Sequence, residues 1–286
     1  MALPYSSQKQ LQRRPIDWIR IFGYVILCIG TLTSLLPFVF MVLSGFKHSS
    51  ELQRIPPTFL PKTWTLDNFT WAWKALKFPR LFRNSLIVTT TITLSVIYTS
   101  SLLGYVLEKF HFPGRNLVFF AVISTMFVPQ QLAMVVLWGM FNDANLLNTH
   151  LALILPYLYS GFGIFLMKQS MHTIPDELLD AARIDGASEI GAFHRIVLPN
   201  VWPSIAALSI FTFMFNYDSF FWPLIVMRDY EKYTVPLGLA FFQGQYFNDL
   251  GKAMAGTTLA VIPTLIVFLV LQRRIVEGVT LSGLKG

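Results

Sequence analysis

The run IFGYVILCIGTLTSLLPFVFMVL, residues 21–43, holds 23 residues without a charged side chain. An α-helix needs about 20 mainly apolar residues to cross the hydrocarbon core of a bilayer. Three arginines precede the run, as in a secretory signal peptide. However, the run is longer than the apolar region of a signal peptide, about 7–15 residues, and no clear small-residue cleavage pattern follows it. The stretch therefore predicts an uncleaved membrane-spanning helix.

Five further apolar runs continue this pattern along the 286-residue chain. They lie at about 85–107, 116–141, 151–167, 201–227 and 254–271. Charged residues make up only 13% of the chain, against about a quarter in soluble domains. The runs use up most of the sequence. We therefore predict one all-α membrane domain over residues 1–286, a polytopic protein with six transmembrane helices.

The charges of the connecting loops predict the orientation of the chain, because Lys and Arg concentrate in short cytoplasmic loops. Loop 108–115 carries Lys109 and Arg115, whereas loop 141–148 carries neither Lys nor Arg. Alternation then places both termini in the cytoplasm. The segment 44–83, predicted to lie outside, has seven basic residues, but the charge rule weakens over long translocated segments. The net charge of +7 thus indicates membrane topology and not nucleic-acid binding, since no basic stripe interleaved with aromatics lies outside the runs.

The residues of common catalytic and metal sites are absent or scattered. Cys28 is the single cysteine, the five histidines form no metal-ligand pair, and no phosphate-binding Gly-x-x-x-x-Gly-Lys-Ser/Thr pattern occurs. We predict no catalytic site, no metal site and no cofactor bound by this chain. A polytopic membrane enzyme would need clustered catalytic groups at one depth.

The polar segment 168–200 contains TIPDELLDAARIDG, residues 173–186. Thr173 followed by Asp176 is a typical helix start, and Pro175 suits a first turn. Gly186 suits the left-handed position that ends a helix. The pattern predicts a helix of about three turns, then a second helix from Ser188 to Val197 that stops before Pro199.

The first of these helices has two distinct faces. Spacing of three and four residues places Leu178, Ala181 and Ala182 on one face. The other face carries Glu177, Asp180 and Arg183. The helix could lie on the lipid surface, but segment 168–200 has five acidic and only three basic residues, which argues against anionic lipid. The small alanines favour insertion into the groove of a protein partner.

The motif residues of this segment resemble a known family signature. Asp180-Ala181-Ala182, Gly186, and then Ile196, Leu198 and Pro199 are similar to the cytoplasmic signature of binding-protein-dependent ABC importer permeases. That signature is EAA, three residues, G, nine residues, I, one residue and LP. The spacing matches throughout, and Asp180 stands in place of Glu. Segment 108–115, the aromatic cluster 220–224 and the tail 278–286 resemble the carbohydrate-uptake (MalG-like) permeases.

This resemblance implies a type I ABC importer permease fold, in which segment 168–200 is a coupling loop seated in a groove of a separate ATPase. It implies that Leu178, Ala181 and Ala182 pack on the ATPase and that Asp180 pairs with it. The candidate coupling residues are Glu177, Leu178, Asp180, Ala181, Ala182, Arg183, Asp185, Gly186, Ile196, Leu198 and Pro199. The last three would anchor the loop to the fifth span. Leu284 and Lys285 in the tail are lesser candidates.

The resemblance also implies the partners and the function. The partners are a second permease subunit, two ATPase subunits that bind ATP and magnesium, an external solute-binding protein and membrane lipid, without nucleic acid. We expect a multi-pass protein of the cytoplasmic (inner) membrane of a prokaryote that translocates a sugar or oligosaccharide by alternating access. A non-sugar solute such as glycerol phosphate or polyamine is the alternative. An ion-driven secondary transporter is less favoured, because internal repeats and charges within the spans are typical of that class.

Polar and aromatic residues within the runs are candidates for the solute path, since such groups in a span are functional by default. The candidates are Asn216, Tyr217, Asp218 and Trp222 in the fifth run, Gln130 and Gln131 beside Pro129, and Tyr157 and Tyr159 in the fourth run. Amides suit sugar hydroxyls, and aromatic rings suit sugar faces. The alternative is interhelical hydrogen bonding, with the aromatics at the membrane interface.

Overall fold

The computed structural model describes residues 18–283, apart from residue 57 and residues 246–248. This described part is helical without strands, which confirms the all-α prediction. The helices are α1 (Trp18–Gly45), α2 (Ser49–Leu52), α3 (Asp67–Ala75), α4 (Phe78–Lys109), α5 (Arg115–Ser124), α6 (Gln130–Asp143), α7 (His150–Ile154), α8 (Gly161–His172), α9 (Asp176–Ile184), α10 (Glu189–Ala192), α11 (Leu198–Asn200), α12 (Trp202–Tyr217), α13 (Phe221–Val226), α14 (Val235–Gln245) and α15 (Leu250–Gly283). Leu284 and Lys285 lie outside the described residues.

Three helices are long and apolar enough to cross a membrane alone: α1, α4 and the first part of α15. Three further pairs reach that length only together and are bent. The α5 and α6 segments meet at 97°, the α7 and α8 segments at 42°, and residues 189–200 meet α12 at 80°. The described chain thus has three spans, or up to six if each bent pair counts as one. The six-span count stays a prediction.

The break between α5 and α6 has a local cause. Pro129 directly precedes α6, and proline both lacks an amide hydrogen and disfavours helix at the preceding residue.

The predicted fifth run is divided, because α12 ends at Tyr217 and α13 begins only at Phe221. The predicted coupling loop begins later than residue 168, since α8 continues to His172. The stretch between the fifth and sixth predicted runs includes α14, and α15 begins at Leu250, before the sixth run.

Helices α4 and α8 cross closely at two glycines. A Cβ atom at Gly104 would lie 2.9 Å from the backbone nitrogen of Lys168, and one at Gly163 would overlap the hydroxyl of Ser100. Small residues allow two helix backbones to approach closely in a membrane protein. The α4–α8 pair is therefore a tightly packed unit, and α12 packs against α4 beside it.

The two ends of the α4 helix are built differently. At its start, α3 lies beside the end of α1, where the Asn68 amide donates hydrogen bonds to the carbonyls of Gly45 (3.0 Å) and Lys47 (2.7 Å). At its end, α4 meets the last turn of α8 and the segment that contains α9 and α10. The predicted topology places this second end in the cytoplasm.

Candidate coupling site and solute path

Helix α9 begins differently from the prediction. The Thr173 hydroxyl donates a hydrogen bond to the Ser170 carbonyl at 2.8 Å, in the last turn of α8. Thr173 does not cap α9, because the residue at the cap position is Pro175 and the helix has no side-chain cap. Pro175 precedes Asp176, the first residue of α9, and makes no side-chain cap. The predicted helix is therefore present, but the prediction that Thr173 starts it was wrong.

The end of α9 agrees with the prediction for Gly186. Its φ angle is +81°, in the left-handed region. The Gly186 amide donates to the Arg183 carbonyl at 3.0 Å, and the Ala187 amide donates to the Ala182 carbonyl at 2.9 Å. This pair of bonds is the Schellman ending of a helix. No atom lies within 4 Å of a Cβ built at Gly186, so the requirement for glycine is conformational and is worth about 1–2 kcal/mol.

The face of α9 that is buried within the chain differs from the face that the sequence predicted to pack on a partner. Leu179 and Ala182 are buried within the chain, at 2% and 8% exposure, whereas Ala181 and Leu178 are exposed. The assignment of Ala182 to an external partner is therefore corrected, because its side chain packs inside this chain. Leu178 and Ala181 keep the outward position that contact with an ATPase requires.

Two exposed isoleucines extend the apolar outer surface of this segment. They are not among the coupling residues predicted from the sequence. Ile184 is 86% exposed and Ile190 is 69% exposed. We call Leu178, Ala181, Ile184 and Ile190 the docking face. The sequence feature that could identify this face is the presence of large apolar residues in a stretch otherwise rich in charged residues. Glu177 and Asp185 are exposed beside it.

Arg183 joins α9 to α10. Its guanidinium donates to Asp180 at 2.8 Å and to Glu189 at 2.7 Å, and these carboxylates raise the pKa of Arg183. The Tyr105 hydroxyl, from α4, donates to the second oxygen of Glu189 at 2.9 Å. Arg183 thus has partners within the chain. Asp180 is mostly exposed, and its predicted ion pair with an ATPase stays a prediction.

Lys109, the last residue of α4, holds the start of α9. Its side chain is only 6% exposed, and the ammonium donates to the Ile174 carbonyl at 2.5 Å and to the Asp176 carboxylate at 2.6 Å. The hydrogen bond and charge of Lys109 lower the pKa of Asp176. The sequence showed Lys109 only as a topology charge, because its partners lie 65 and 67 residues away.

Glu108, the preceding residue, holds the end of α8. Its carboxylate accepts hydrogen bonds from the Lys168 ammonium and from Nδ1 of His172, both at 2.6 Å. Beside these ion pairs lies a polar cleft of about 400 Å³, lined in part by Glu108, Lys109 and the first turn of α9. Two consecutive residues of α4 therefore fix both sides of the α8–α9 turn. We call these contacts the α4 anchor.

The second helix of the segment begins as predicted and ends later. The Ser188 hydroxyl accepts a hydrogen bond from the Gly191 amide at 3.1 Å, which caps α10. The helix then continues past Pro199 to Asn200, through a π-helical turn at Phe193–Val197. Its wider turn bonds the Leu198 amide to the Phe193 carbonyl and leaves Pro199 in the first turn of α11, where proline is tolerated. Ile196 and Leu198 are partly buried, and Pro199 is exposed.

Two predicted solute-path residues serve the interior of the chain. Trp222 is 1% exposed, and its indole nitrogen donates to the Ala152 carbonyl at 2.8 Å. Tyr217 is 2% exposed, and its hydroxyl donates to the Ala260 carbonyl at 3.1 Å. Their polar atoms already bond neighbouring helices. Both residues therefore contribute to helix packing, and their place on a solute path stays a prediction.

The remaining path candidates form no single site. Asn216 and Tyr157 meet beside Trp222 around a cavity of about 10 Å³, the size of one water molecule. The Asn216 amide also donates to the Thr212 carbonyl of its own helix at 2.8 Å. The exposed candidates are Gln130, Gln131, Tyr159 and Asp218. Within the described residues, no group of three His, Cys, Asp or Glu side chains could hold a metal ion.

One known protein family matches the part of the chain that contains the coupling segment and the solute-path candidates. The model described as "Binding-protein-dependent transport system inner membrane component" matches residues 100–280, from the last turns of α4 through α9 and α10 to α15. The chain belongs to this family. Membership agrees with the resemblance of the motif residues in α9–α11 to the signature of these permeases.

Two relatives of the permease match most of its length. The arabinooligosaccharides transport system permease protein AraQ of Halalkalibacterium halodurans is 34% identical and matches 95% of this chain and 97% of its own. The sn-glycerol-3-phosphate transport system permease protein UgpE of Escherichia coli is 30% identical, over 94% of this chain and 98% of its own.

A solved structure has the same fold. It is a chain of a bacterial ABC transporter involved in the import of the acidic polysaccharide alginate. The permease is 21% identical to that chain, covers 99% of it with 95% of its own length, and gives a TM-score of 0.73. This likeness establishes the importer permease fold.

Proposed function

We propose that this chain is a permease subunit that carries a sugar or oligosaccharide across the cytoplasmic membrane, with ATP hydrolysed by separate ATPase subunits. The observation that carries the proposal is the α9–α10 segment. It presents an exposed apolar docking face on one side and is bonded to α4 and α8 on the other. Such a segment suits the transfer of force from a partner into the membrane helices.

The contacts around α9 provide two routes for that force. The α4 anchor links α9 to the α4–α8 pair, and Arg183 links α9 to α10 through Glu189. From α10, the chain continues as a helix to Asn200 and bends by 80° into α12. Closure of the ATPase dimer would shift α9 and move both α4–α8 and α12. This requires contacts on the docking face that differ between the two states of the ATPase.

Further partners follow from the family description and from the surface. The family is binding-protein-dependent, which supports an external solute-binding protein. The most apolar 18 residues of α1 are not buried at all within this chain, and no residue of α5 is buried. These apolar faces are available to lipid and to the second permease subunit that we propose.

A charge on the docking face is expected to release the ATPase. Ile184→Asp combined with Ile190→Asp places two carboxylates on a surface that a partner must desolvate, and each buried unpaired charge is strongly unfavourable. We expect at least about a tenfold loss of ATPase in affinity purification of the tagged permease, equivalent to 1.4 kcal/mol or more. The amount of permease should be unchanged, because both side chains are exposed.

Ile184→Val with Ile190→Val is the matched control, and it should retain the ATPase. Equal recovery of the ATPase with both pairs of variants would contradict the assigned docking face. Recovery of the unaltered permease without any ATPase would contradict the proposed function itself.

The solute class can be tested in the reconstituted complex. The higher identity to AraQ and the sequence resemblance to carbohydrate permeases favour an oligosaccharide, and the likeness to UgpE supports glycerol 3-phosphate as a second candidate. We expect ATP hydrolysis to rise several-fold with binding protein loaded with arabino-oligosaccharide and to stay at its basal rate with sn-glycerol 3-phosphate. The reverse result would assign the second candidate.

A further inference from the structure

The segment that follows α1, residues 46–66, folds back along the end of that helix. The ring of Phe59 lies 6.3 Å from the ring of Phe40, and the ring of Trp64 lies 5.5 Å from that of Phe46. Phe40 is three residues inside the apolar run that ends at Leu43, which is about 4.5 Å along the helix axis. Phe59 therefore packs against a residue of α1 that is still inside the apolar run.

Two charged residues inside the segment give it a fixed shape. Lys47 is fully buried, donates to the Thr58 carbonyl, and lies 4.9 Å from the centre of the Phe40 ring. Glu51 is 5% exposed and accepts hydrogen bonds from the Thr58 hydroxyl at 2.6 Å and from the Lys62 amide at 3.0 Å. Because these charges are turned inward and bonded, the segment is a built element and not a loose connection.

The outer surface of the same segment is apolar. Ile55 is 97% exposed, and Leu60, Trp64 and Leu66 are each 62% exposed. This is the reverse of a water-facing loop, which would bury its large apolar side chains and expose its charges. The exposed cations of the segment are Arg54 and Lys62, which suit the phosphates of lipid headgroups.

We propose that residues 46–66 form an interfacial anchor that sits in the headgroup region of the outer leaflet, with membrane lipid as its partner. Tryptophan, phenylalanine and leucine beside basic residues are typical of segments that lie in the plane of the membrane interface. The packing of Phe59 on the apolar run of α1 favours lipid over a water-borne protein partner. The inference depends on α1 crossing the membrane and is independent of the solute.

The interfacial anchor connects three helices at the outer end of the permease. Asn68 of α3 bonds the carbonyls of Gly45 and Lys47, at the junction of α1 and the anchor. The Ser49 hydroxyl donates to the Asp249 carboxylate at 2.6 Å, directly before α15. The lipid contact thereby holds the outer ends of α1, α3 and α15 at one depth.

Spin labels on the assembled transporter test this assignment. Cys28→Ser removes the one cysteine of the sequence, and Leu60→Cys or Ile55→Cys then introduces a single site for a nitroxide label. Gln53→Cys, at an exposed polar residue of the same segment, is the matched reference. The complex is placed in nanodiscs of phosphatidylethanolamine and phosphatidylglycerol. Collision rates of the label are measured with oxygen, which enters the bilayer, and with a water-soluble nickel chelate.

We expect the oxygen-to-nickel collision ratio at residues 55 and 60 to exceed that at residue 53 several-fold, with or without solute-binding protein. A nickel-dominated ratio at residues 55 and 60 would show that water covers the segment and would overturn the proposal. Protection from both reagents, or protection that appears only when binding protein is added, would assign the surface to a protein partner and would also overturn it.

Discussion

Gly104→Leu is expected to prevent accumulation of folded permease in the membrane. The substitution adds a branched side chain at the closest approach of α4 and α8, where even a Cβ atom would lie 2.9 Å from both the backbone nitrogen of Lys168 and the Cβ of Met167. A backbone neighbour cannot rotate away as a long side chain can. The helices must therefore separate, and the bonds between Glu108 and α8 at the same end separate with them.

The size of the effect follows from the extent of this contact. Overpacking a tight core, with the side-chain and backbone shifts that it forces, typically costs about 1–3 kcal/mol and occasionally more. A loss of this size is a large fraction of the stability of an average domain, about 5–15 kcal/mol. We expect at least a tenfold loss of monodisperse permease, measured by size-exclusion chromatography of a fluorescent fusion extracted in mild detergent.

Gly139→Leu in α6 is the matched control. It makes the same change within a helix, but no atom lies within 4 Å of a Cβ built at Gly139. Its yield should stay near that of the unaltered chain. Equal yields for the two variants would show that the α4–α8 crossing is wider than described, and would remove the basis for treating the pair as one unit.

Local signals made part of the coupling segment predictable. A left-handed glycine and a serine cap depend on a few neighbouring residues. Gly186 occupies the predicted left-handed conformation, and Ser188, predicted only as the start of the second helix, caps that helix from the position before it. The inward face of α9 depends on what lies beneath it. Ala181 and Ala182 are identical in type and adjacent, and only packing against the body of the permease separates the exposed one from the buried one.

Long-range contacts made the rest unpredictable. Tyr217 and Trp222 have the chemistry of sugar-binding residues, yet their polar atoms bond carbonyls 43 and 70 residues away. The break between α12 and α13 contains no proline or glycine, so no local signal marks it. At the break between α5 and α6, in contrast, Pro129 is a local signal, because the missing amide hydrogen of proline removes a helix hydrogen bond wherever the residue stands.

Lys109→Met is expected to uncouple transport from ATP hydrolysis. The change removes the ammonium from a side chain that is 6% exposed and leaves the Ile174 carbonyl without its donor, which costs about 1–3 kcal/mol for a buried polar group. The docking face on the far side of α9 is untouched, so the ATPase should still bind and hydrolyse ATP. However, the bonds that join α4 directly to the start of α9 are lost, and α4 stays linked to α9 only through Tyr105, Glu189 and Arg183, which weakens the transfer of movement from α9 to α4 and α8.

Both bonds of Lys109 contribute, and the carbonyl bond is expected to matter more. Asp176 is mostly exposed, so its ion pair is weakened by solvent, whereas Ile174 is buried. Asp176→Asn should therefore have a smaller effect than Lys109→Met. Because Lys109 lowers the pKa of Asp176, the ion pair is complete above the ordinary range of a carboxyl group. It is lost as the pH falls through that lowered pKa.

The measurement is the number of solute molecules imported per ATP in proteoliposomes with solute-loaded binding protein. We expect about a tenfold fall for Lys109→Met and near-normal values for Lys109→Arg, since a guanidinium can donate to both oxygens. A purely structural role would lower transport and hydrolysis in proportion, through loss of assembled complex, and would leave their ratio unchanged. A constant ratio with Lys109→Met would therefore exclude the α4 anchor from the coupling path and leave Arg183 and α10 as the remaining route.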